Sequence, residues 1–249
     1  MKSWISCLVH NQQGKTALAY QTSDEALRIA EESGDIYSKA NAFWAHGYSC
    51  HNKGFLQEAE EYLVKAVGLF ERISLLGASP SAHGVLGDVY FEMGEYQKSR
   101  DYCDKAVSLF ERAGYGRDSI NLNKILSARA NVLSGEGSID LEPLYEYADQ
   151  NRLKFHDGRM AHYIGEILLN IDDQHMNEAE DWIKKAIEAD TRYGMMGFLG
   201  RDHALYAELL KRKGDLPEAE ENLNKAIEIL KECGADGWVK KYQEALAEM

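Results

Sequence analysis

The stretch NKGFLQEAEEYLVKAVGLFE, residues 52–71, decides the fold of this chain. Two other stretches share its pattern, EMGEYQKSRDYCDKAVSLFE at residues 92–111 and RKGDLPEAEENLNKAIEIL at residues 212–230. In each, a glycine is followed by a hydrophobic residue two positions on, a small residue five on, an apolar residue nine on and an alanine twelve on. A pattern that recurs in this way indicates a repeat architecture, and the architecture has to be identified before any shorter motif is interpreted.

The pattern resembles the tetratricopeptide repeat, a hairpin of two antiparallel helices, A and B, that stacks into a right-handed superhelix. The small residue that this family has late in helix A corresponds to Gly47 and Gly87, and its turn glycine corresponds to Gly54. A small side chain in helix A lets helix B cross closely, and the turn glycine ends helix A in a left-handed conformation. None of these positions implies chemistry.

Helix B alanines extend the repeat along the whole chain. Residues Ala26, Ala66, Ala106, Ala148, Ala186 and Ala226 follow one another at intervals of 38 to 42 residues. The sequence therefore predicts an all-α fold, an α-α superhelix (TPR solenoid) of about six helical hairpins plus a C-terminal capping helix. One repeat domain, residues 1–249, would be divided into repeats at about 1–36, 37–77, 78–116, 117–155, 156–196 and 197–234, with the capping helix at 236–249.

The period near 40 exceeds the usual length of about 34 for this repeat. We expect the extra residues in longer helices and in loops from helix B to the next helix A, such as ISLLGASPS at 73–81 and RYGMMGFLG at 192–200. The fourth and fifth repeats need about two extra residues in their A-to-B turns. Pro80, Pro143 and Pro217 fall in predicted first turns of helices, where the missing N–H does no harm.

Composition and charge exclude several classes of function. The formal net charge of −13 makes nucleic acid an unlikely partner, because an acidic surface repels phosphate. No apolar run is long enough to span a membrane. The four cysteines form no CxxC pair and the N-terminus does not have the pattern of a signal peptide, so we expect a cytoplasmic protein.

Two short patterns suggest a phosphate-binding loop and a metal site, but each lacks the other residues that such a site requires. The triplet Gly14-Lys15-Thr16 matches the end of a phosphate-binding loop, but Val9 stands where that loop needs its first glycine. We interpret Gly14 as the turn of the first repeat. His46 and Cys50 are four residues apart, but no carboxylate or CxxC spacing accompanies them, so Cys50 is interpreted as a core residue. No catalytic residue, metal site or cofactor is predicted, and the chain is not expected to be an enzyme.

In this family the concave face is lined mainly by helix A, and the resemblance implies a partner-binding groove there. Its N-terminal half would be aromatic and its C-terminal half mixed in charge, which suits a peptide with an apolar end and an acidic end. The predicted partner-binding residues are Trp44, Tyr48, His51, Asp88, Phe91, Asn121, Lys124, Asn131, Arg159, His162, Glu166, Arg201, Glu208 and Arg212. The same correspondence places Trp4, Leu8, Ser81 and Glu92 on the inner face.

The expected function is a non-catalytic scaffold that binds a protein or peptide segment in this groove, with a role in bacterial signalling or regulation. The alternative is a regulatory domain that senses a peptide or small ligand and changes its superhelical shape. Residues 205–247 resemble the repeat tail of bacterial signalling proteins that carry nucleotide cyclase-like and ATPase domains. Either a homo-oligomer or linkage to such N-terminal domains in a longer protein is compatible with the sequence.

Overall fold

The computed structural model describes residues 3–73, 77–135 and 139–249, apart from the side chains of residues 3 and 4. Within these residues the chain forms thirteen α-helices and no β-strand. The helices are α1 Ser3–Gln12, α2 Thr16–Ser33, α3 Ile36–Lys53, α4 Leu56–Arg72, α5 Ser79–Glu92, α6 Tyr96–Ala113, α7 Arg117–Leu133, α8 Glu142–Asp149, α9 Asp157–Ile171, α10 Met176–Tyr193, α11 Met196–Lys213, α12 Leu216–Cys233 and α13 Asp236–Ala247.

Consecutive helices pair into six hairpins, from α1 with α2 to α11 with α12, and α13 packs on α12 as the cap. The odd-numbered helices from α1 to α11 contact one another in series and form the inner layer, as expected for helix A. The even-numbered helices form the outer layer. The predicted all-α superhelix of six hairpins and a capping helix is therefore confirmed. No helix in the described part of the chain is both long and apolar enough to cross a membrane.

The repeat glycines and alanines have the roles that their positions predict. Gly54 ends α3 with φ of +79°, a left-handed conformation that L side chains adopt at a cost. A Cβ atom on Gly47 would lie 2.6 Å from Leu63 Cγ, so only glycine allows α3 and α4 to cross this closely. Ala59 and Ala66 of α4 are fully buried.

Gly14 also has a positive φ, +69°, and α2 begins two residues later at Thr16. Lys15 is exposed. The Gly-Lys-Thr triplet is thus the A-to-B turn of the first hairpin, as interpreted from the sequence.

The extra length of the repeats lies mainly in the helices, several of which have 17 or 18 residues. The long loop predicted at 192–200 is wrong, because α10 continues to Tyr193 and only Gly194 and Met195 precede α11. Residues 74–76 of the other predicted loop lie outside the described residues. The fifth hairpin accommodates its extra residues in a 3₁₀ turn, Asp173–His175, between α9 and α10.

The fourth hairpin is irregular, because α8 has only 8 residues whereas the other outer helices have 17 or 18.

All three prolines lie in first helical turns, those of α5, α8 and α12.

The superhelix closes on itself, because α13 returns to the end of α3. Lys53 Nζ lies 2.7 Å from Asp236 Oδ2, and a Cβ atom on Gly237 would lie 2.5 Å from the carbonyl oxygen of Gly54. Trp238 is 2% exposed and donates a hydrogen bond to this same end of α3. We call Lys53, Gly54, Asp236, Gly237 and Trp238 the seam. Since α3 belongs to the second hairpin, the inner face is enclosed by both ends of the array.

Candidate functional site: a pocket and an ionic cluster on the inner face

The inner face holds a group of charged side chains that come from four inner helices and the capping helix. We call this group the central ionic cluster. Its members are Asp88 and Glu92 of α5, Arg129 of α7, Arg159 and Glu166 of α9, Arg201 of α11 and Lys241 of α13. Because its members are contributed by both halves of the chain, the cluster depends on the closed superhelix.

Asp88 is the most enclosed member, at 1% exposure. Its Oδ2 accepts a hydrogen bond of 2.9 Å from the Tyr163 hydroxyl and one of 3.3 Å from Arg159 Nη2. His51 Nε2 lies 3.6 Å from the same oxygen. Burial opposes ionisation, but the positive groups around Asp88 lower its pKa below the usual value. Asp88 is therefore an ionised anchor that holds the Arg159 guanidinium.

Arg129 links the two other acidic members. It forms ion pairs with Glu166 through Nε and with Glu92 through Nη2, the latter at 3.3 Å. Its guanidinium also lies 3.5 Å from the centroid of the Phe91 ring.

Glu92 is shared with α11 and α13. Its Oε1 lies 2.5 Å from Arg201 Nη2 and its Oε2 lies 3.2 Å from Lys241 Nζ. Burial again opposes ionisation, yet Arg201, Lys241 and Arg129 lower the pKa of Glu92 well below its usual value. The side chain of Glu92 therefore carries a charge in the interior and joins three helices.

A cavity of about 230 Å³ lies beside this cluster and is lined by α1, α3, α5, α7 and α9, by Phe110 of α6 and by residues just before α9. We call it the concave pocket. Most of its wall is apolar or aromatic. The lining residues are Leu8, Gln12, Trp44, Tyr48, Ser81, Gly84, Val85, Phe110, Ser119, Leu122, Asn123, Leu126, Leu153, Phe155, His156 and Arg159.

The concave pocket has few polar side chains, and they include one charged residue, Arg159, and one neutral histidine, His156. Among the described residues that line it, Arg159 is the one charged side chain, and none is Asp or Glu. Burial, with a contribution from the charge of Arg159, lowers the pKa of His156 to about 3, so this imidazole is neutral. His156 Nδ1 and Arg159 Nε are buried and have no hydrogen-bond partner in the described part of the protein. An unpaired buried polar atom costs about 1–3 kcal/mol, so the fold leaves hydrogen-bonding capacity unused at these two lining residues.

The structure brings one group of the predicted site residues to the inner face. Trp44, Tyr48 and Arg159 line the concave pocket, as do Leu8 and Ser81. His51, Asp88, Glu166 and Arg201 lie in or against the central ionic cluster. Phe91 packs beneath Arg129. Of these, the side chains of His51, Asp88 and Arg201 are enclosed and are not available to a partner in this conformation.

The predicted residues of the fourth hairpin lie elsewhere. Asn131 Oδ1 accepts a hydrogen bond of 2.8 Å from Arg100 on α6, and Lys124 Nζ lies 3.8 Å from Glu111 on the same helix. Asn121 Nδ2 lies 3.5 Å from a carbonyl oxygen of α8. The α7 residues that line the pocket are Ser119, Leu122, Asn123 and Leu126 instead. This hairpin lacks the alanine pair that sets the helix register. The residues predicted from the sequence to face inward were therefore assigned in the wrong register.

The remaining predicted residues do not reach the concave pocket. Glu208 pairs with Arg212 at 2.9 Å near the end of α11, and Arg212 also donates to the carbonyl oxygen of Leu169. His162 is buried, with its Nδ1 2.7 Å from Asp202 Oδ1. The side chain of Trp4 lies outside the described residues.

His162 belongs to a second buried group in which two carboxyl groups meet. Asp190 of α10 and Asp202 of α11 are each 1% exposed. Burial raises the pKa of both groups, to about 7 for Asp190. Arg159 counteracts the rise at Asp190, and Arg201 does so at Asp202. Two adjacent buried carboxyl groups cannot both ionise at low cost, so the pair retains a proton near neutral pH.

A second cavity, of about 430 Å³, opens between α8, α9 and α10. Its aromatic residues include Tyr145 and Trp182, which stack with ring centroids 5.6 Å apart. Lys185 Nζ lies 4.1 Å from the centroid of the Trp182 ring. This outer cavity is larger than the concave pocket, but it involves only neighbouring helices beside the short α8. We give the concave pocket precedence because five inner helices converge there.

The described residues include no group of three or more His, Cys, Asp or Glu side chains that could hold a metal ion. The four cysteines are buried free thiols. Burial raises the pKa of each thiol, to about 11 for Cys7, so all four are protonated at neutral pH. The arrangement of the inner face is thus suited to binding, with Arg159 as a fixed positive charge at the edge of an apolar pocket.

Comparisons with known proteins agree with this architecture. Residues 80–112 match the family model of the tetratricopeptide repeat. No curated protein matches the chain. The crystal structure of the apo form of RapI superposes with a TM-score of 0.70 at 16% identity, covering 90% of this chain and 80% of that one. A Rap protein complexed with Competence and Sporulation Factor gives a TM-score of 0.67 at 13% identity, covering 99% of this chain and 75% of that one.

A third similar structure belongs to a larger protein. It is a Signal Transduction ATPase with Numerous Domains (STAND) protein with a tetratricopeptide repeat sensor from Pyrococcus horikoshii, at a TM-score of 0.50 and 16% identity. The match covers 97% of this chain and 39% of that one. At these identities the likeness concerns the fold alone.

Proposed function

We propose that this chain, whose helices form a tetratricopeptide-like superhelix and whose residues 80–112 match the tetratricopeptide repeat model, is a non-catalytic interaction module that binds a protein or peptide segment at the concave pocket, in bacterial signalling or regulation. The observation that carries the proposal is the convergence of five inner helices on one pocket with an apolar wall and a single charged residue, Arg159. Ligand-binding pockets combine apolar walls with a few placed polar groups in this manner.

The aromatic residues of the pocket supply its anchors. Trp44 and Tyr48 lie one helical turn apart on α3 and both line the pocket. Aromatic side chains dominate the energetics of protein interfaces because they bury a large area with few rotatable bonds. A Rap protein, whose fold is similar, has been crystallised with Competence and Sporulation Factor, which supports a peptide or protein partner for this fold.

The proposed site is smaller than the groove expected from the sequence. The side chains of His51, Asp88 and Arg201 are enclosed, and we assign them the role of holding Arg159 and closing the superhelix. Asn121, Lys124, Asn131, Glu208 and Arg212 contact other surfaces and are not part of the proposed site.

The partner is proposed to be protein because the net charge of −13 disfavours nucleic acid. We propose a cytoplasmic location and no enzymatic activity. A homo-oligomer, or linkage to N-terminal signalling domains in a longer protein, is compatible with this function.

A peptide-library selection against the wild-type chain tests the proposal. The affinity of the selected peptides is then measured by fluorescence anisotropy on the Trp44→Ala and Tyr48→Ala variants. Each substitution is expected to weaken binding by more than about 1 kcal/mol, the threshold for an anchor. Trp182→Ala, at the outer cavity, is the matched control and should bind as the wild type does. Unchanged affinity in both pocket variants would refute the proposed site.

A second candidate function is a sensor whose superhelix changes shape when a ligand binds. The seam supports it, because α13 and α3 are far apart in sequence and can separate without breaking any hairpin. Small-angle scattering with and without a selected peptide distinguishes the two functions. A sensor changes its radius of gyration on binding, whereas a rigid scaffold keeps it.

A further inference from the structure

We propose that the concave pocket binds an apolar group of about the size of one residue that carries a carboxylate, with Arg159 as the partner of that carboxylate. This inference rests on the proposed function and specifies the ligand chemistry of the same site. The carboxylate belongs either to the last residue of a peptide or to a small free acid, and the experiment below separates these sources.

The size of the pocket limits the ligand. Its volume of about 230 Å³ lies below the roughly 300–1,000 Å³ typical of pockets for drug-sized molecules. Leu122, Leu126 and Phe110 contribute apolar wall, so the group that fills the space is apolar. One large side chain satisfies both conditions, whereas a longer chain has to leave the pocket.

The charge of the pocket selects an anion. Arg159 is the one charged side chain among the described lining residues, in a chain with a formal net charge of −13. Its contacts with Asp88 and with the Tyr163 hydroxyl both use Nη2. Asp88 is shared with Arg129, whose Nη1 lies 3.6 Å from the other carboxylate oxygen. The guanidinium of Arg159 is therefore held in place by part of one carboxylate and keeps capacity for a second acceptor.

Two of the lining residues, Arg159 and His156, also hold a polar atom that the fold leaves unpaired. Arg159 Nε and His156 Nδ1 are buried without a hydrogen-bond partner in the described part of the chain. His156 is 6% exposed and its imidazole is neutral, so it offers a hydrogen bond without adding charge. A carboxylate accepts from Arg159 and pairs its charge, which a neutral amide does not do.

The experiment compares acids with their amides by titration calorimetry on the full chain. The probes are N-acetyl-leucine and its amide, and a six-residue peptide ending in leucine with a free or an amidated terminus. Each acid is expected to bind at least about tenfold more tightly than its amide, because a charge-assisted hydrogen bond contributes more than a neutral one. Equal binding of acids and amides overturns the inference, as does the absence of binding by all four probes.

Three variants locate the effect. Arg159→Gln should remove the preference for acids over amides. Because Arg159 also pairs with Asp88, its substitution disturbs the central ionic cluster as well. A separate variant, Ser81→Phe, fills the pocket and leaves that cluster untouched. Ser81→Phe should abolish binding of both acids, whereas Ser108→Phe on the exposed side of α6 should not. Acid binding that survives Ser81→Phe contradicts the assignment of the site.

The same data separate the inference from the proposed function. A peptide acid that binds much more tightly than N-acetyl-leucine supports both. Equal affinity of the two acids supports the inference, with a small free acid as the ligand, and contradicts the peptide-binding function. A third outcome is that library peptides bind through Trp44 and Tyr48 equally well with a free or an amidated C-terminus. That result supports the proposed function and contradicts the inference that the pocket binds a carboxylate.

Discussion

The indole Nε1 of Trp238 donates a hydrogen bond of 3.0 Å to the carbonyl oxygen of His51, a residue 187 positions earlier in the chain. The two rings are also in edge-to-face contact, with centroids 6.2 Å apart. This pair joins the capping helix to the second hairpin at the seam. It is one of the contacts that turn a linear array of hairpins, in which each usually contacts only its neighbours, into a closed superhelix.

The seam makes Gly54 more sensitive to substitution than Gly94, the turn glycine of the next hairpin. Gly54→Ala and Gly94→Ala place alanine at nearly the same φ, +79° and +78°, so both should lose about 1–2 kcal/mol to left-handed strain. Only at Gly54 would the new Cβ also meet the backbone, at 2.4 Å from Trp238 N, because nothing lies within 4 Å at Gly94. We expect Gly54→Ala to lower the free energy of unfolding further, as measured by urea denaturation.

Small-angle scattering adds a second measurement on the same two variants. Gly94→Ala should keep a radius of gyration near the roughly 18 Å of a compact chain of this length, and Gly54→Ala should exceed it. Identical radii together with identical unfolding free energies would show that the seam does not hold the superhelix closed.

The contacts of the central ionic cluster predict that substituting Arg129 lowers the free energy of unfolding substantially. Arg129→Met leaves Glu166 and Glu92 without one of their cations in the interior, and breaking a buried ion pair costs about 3–5 kcal/mol. Arg192→Met removes an exposed i,i+4 pair with Glu188 and should cost less than about 1 kcal/mol. Urea denaturation of the two variants provides the comparison. A similar small loss in both would mean that the cluster is hydrated rather than buried.

The buried pair of Asp190 and Asp202 predicts a pH dependence of stability. The pKa of Asp190 is raised to about 7 in the folded protein from 3.8, so between these pH values the folded state binds more protons than the unfolded state. Its contribution to stability is therefore lost as pH rises from about 4 through about 7. Asp190→Asn cannot ionise and should show a smaller loss over this range in thermal denaturation.

The difference between wild type and Asp190→Asn is the quantity to measure, since His156 acts in the opposite direction. Burial lowers the pKa of His156 to about 3, so its contribution to stability is lost as pH falls below 6.5. That term is common to both proteins. Parallel stability curves between pH 4 and pH 7 would contradict a raised pKa at Asp190.

The repeat pattern was sufficient to predict the architecture, because Gly47, Gly54 and Ala66 each serve a local packing role that recurs in other hairpins of the array. Trp44, Tyr48 and Arg159 were placed on the inner face for the same reason, since helix A faces inward throughout. The role of these residues in binding a partner remains a prediction.

The closure of the superhelix could not be predicted, because it depends on the small rotation between successive hairpins accumulated over the whole array. Without the closure, Lys241 of the capping helix has no apparent relation to Glu92. Arg129 was missed because the fourth hairpin lacks the alanine pair that sets the register. A signal for it was present, since Glu92, Arg129 and Glu166 follow one another at intervals of 37 residues.

Hydrogen–deuterium exchange with and without a selected peptide tests whether a partner binds at the concave pocket. The amides of α3 and α5, which carry Trp44, Tyr48 and Ser81, are predicted to exchange more slowly in the complex. The amides of α8 and α10, which line the outer cavity with Tyr145 and Trp182, are predicted to be unchanged. Protection confined to α8 and α10 would contradict the account.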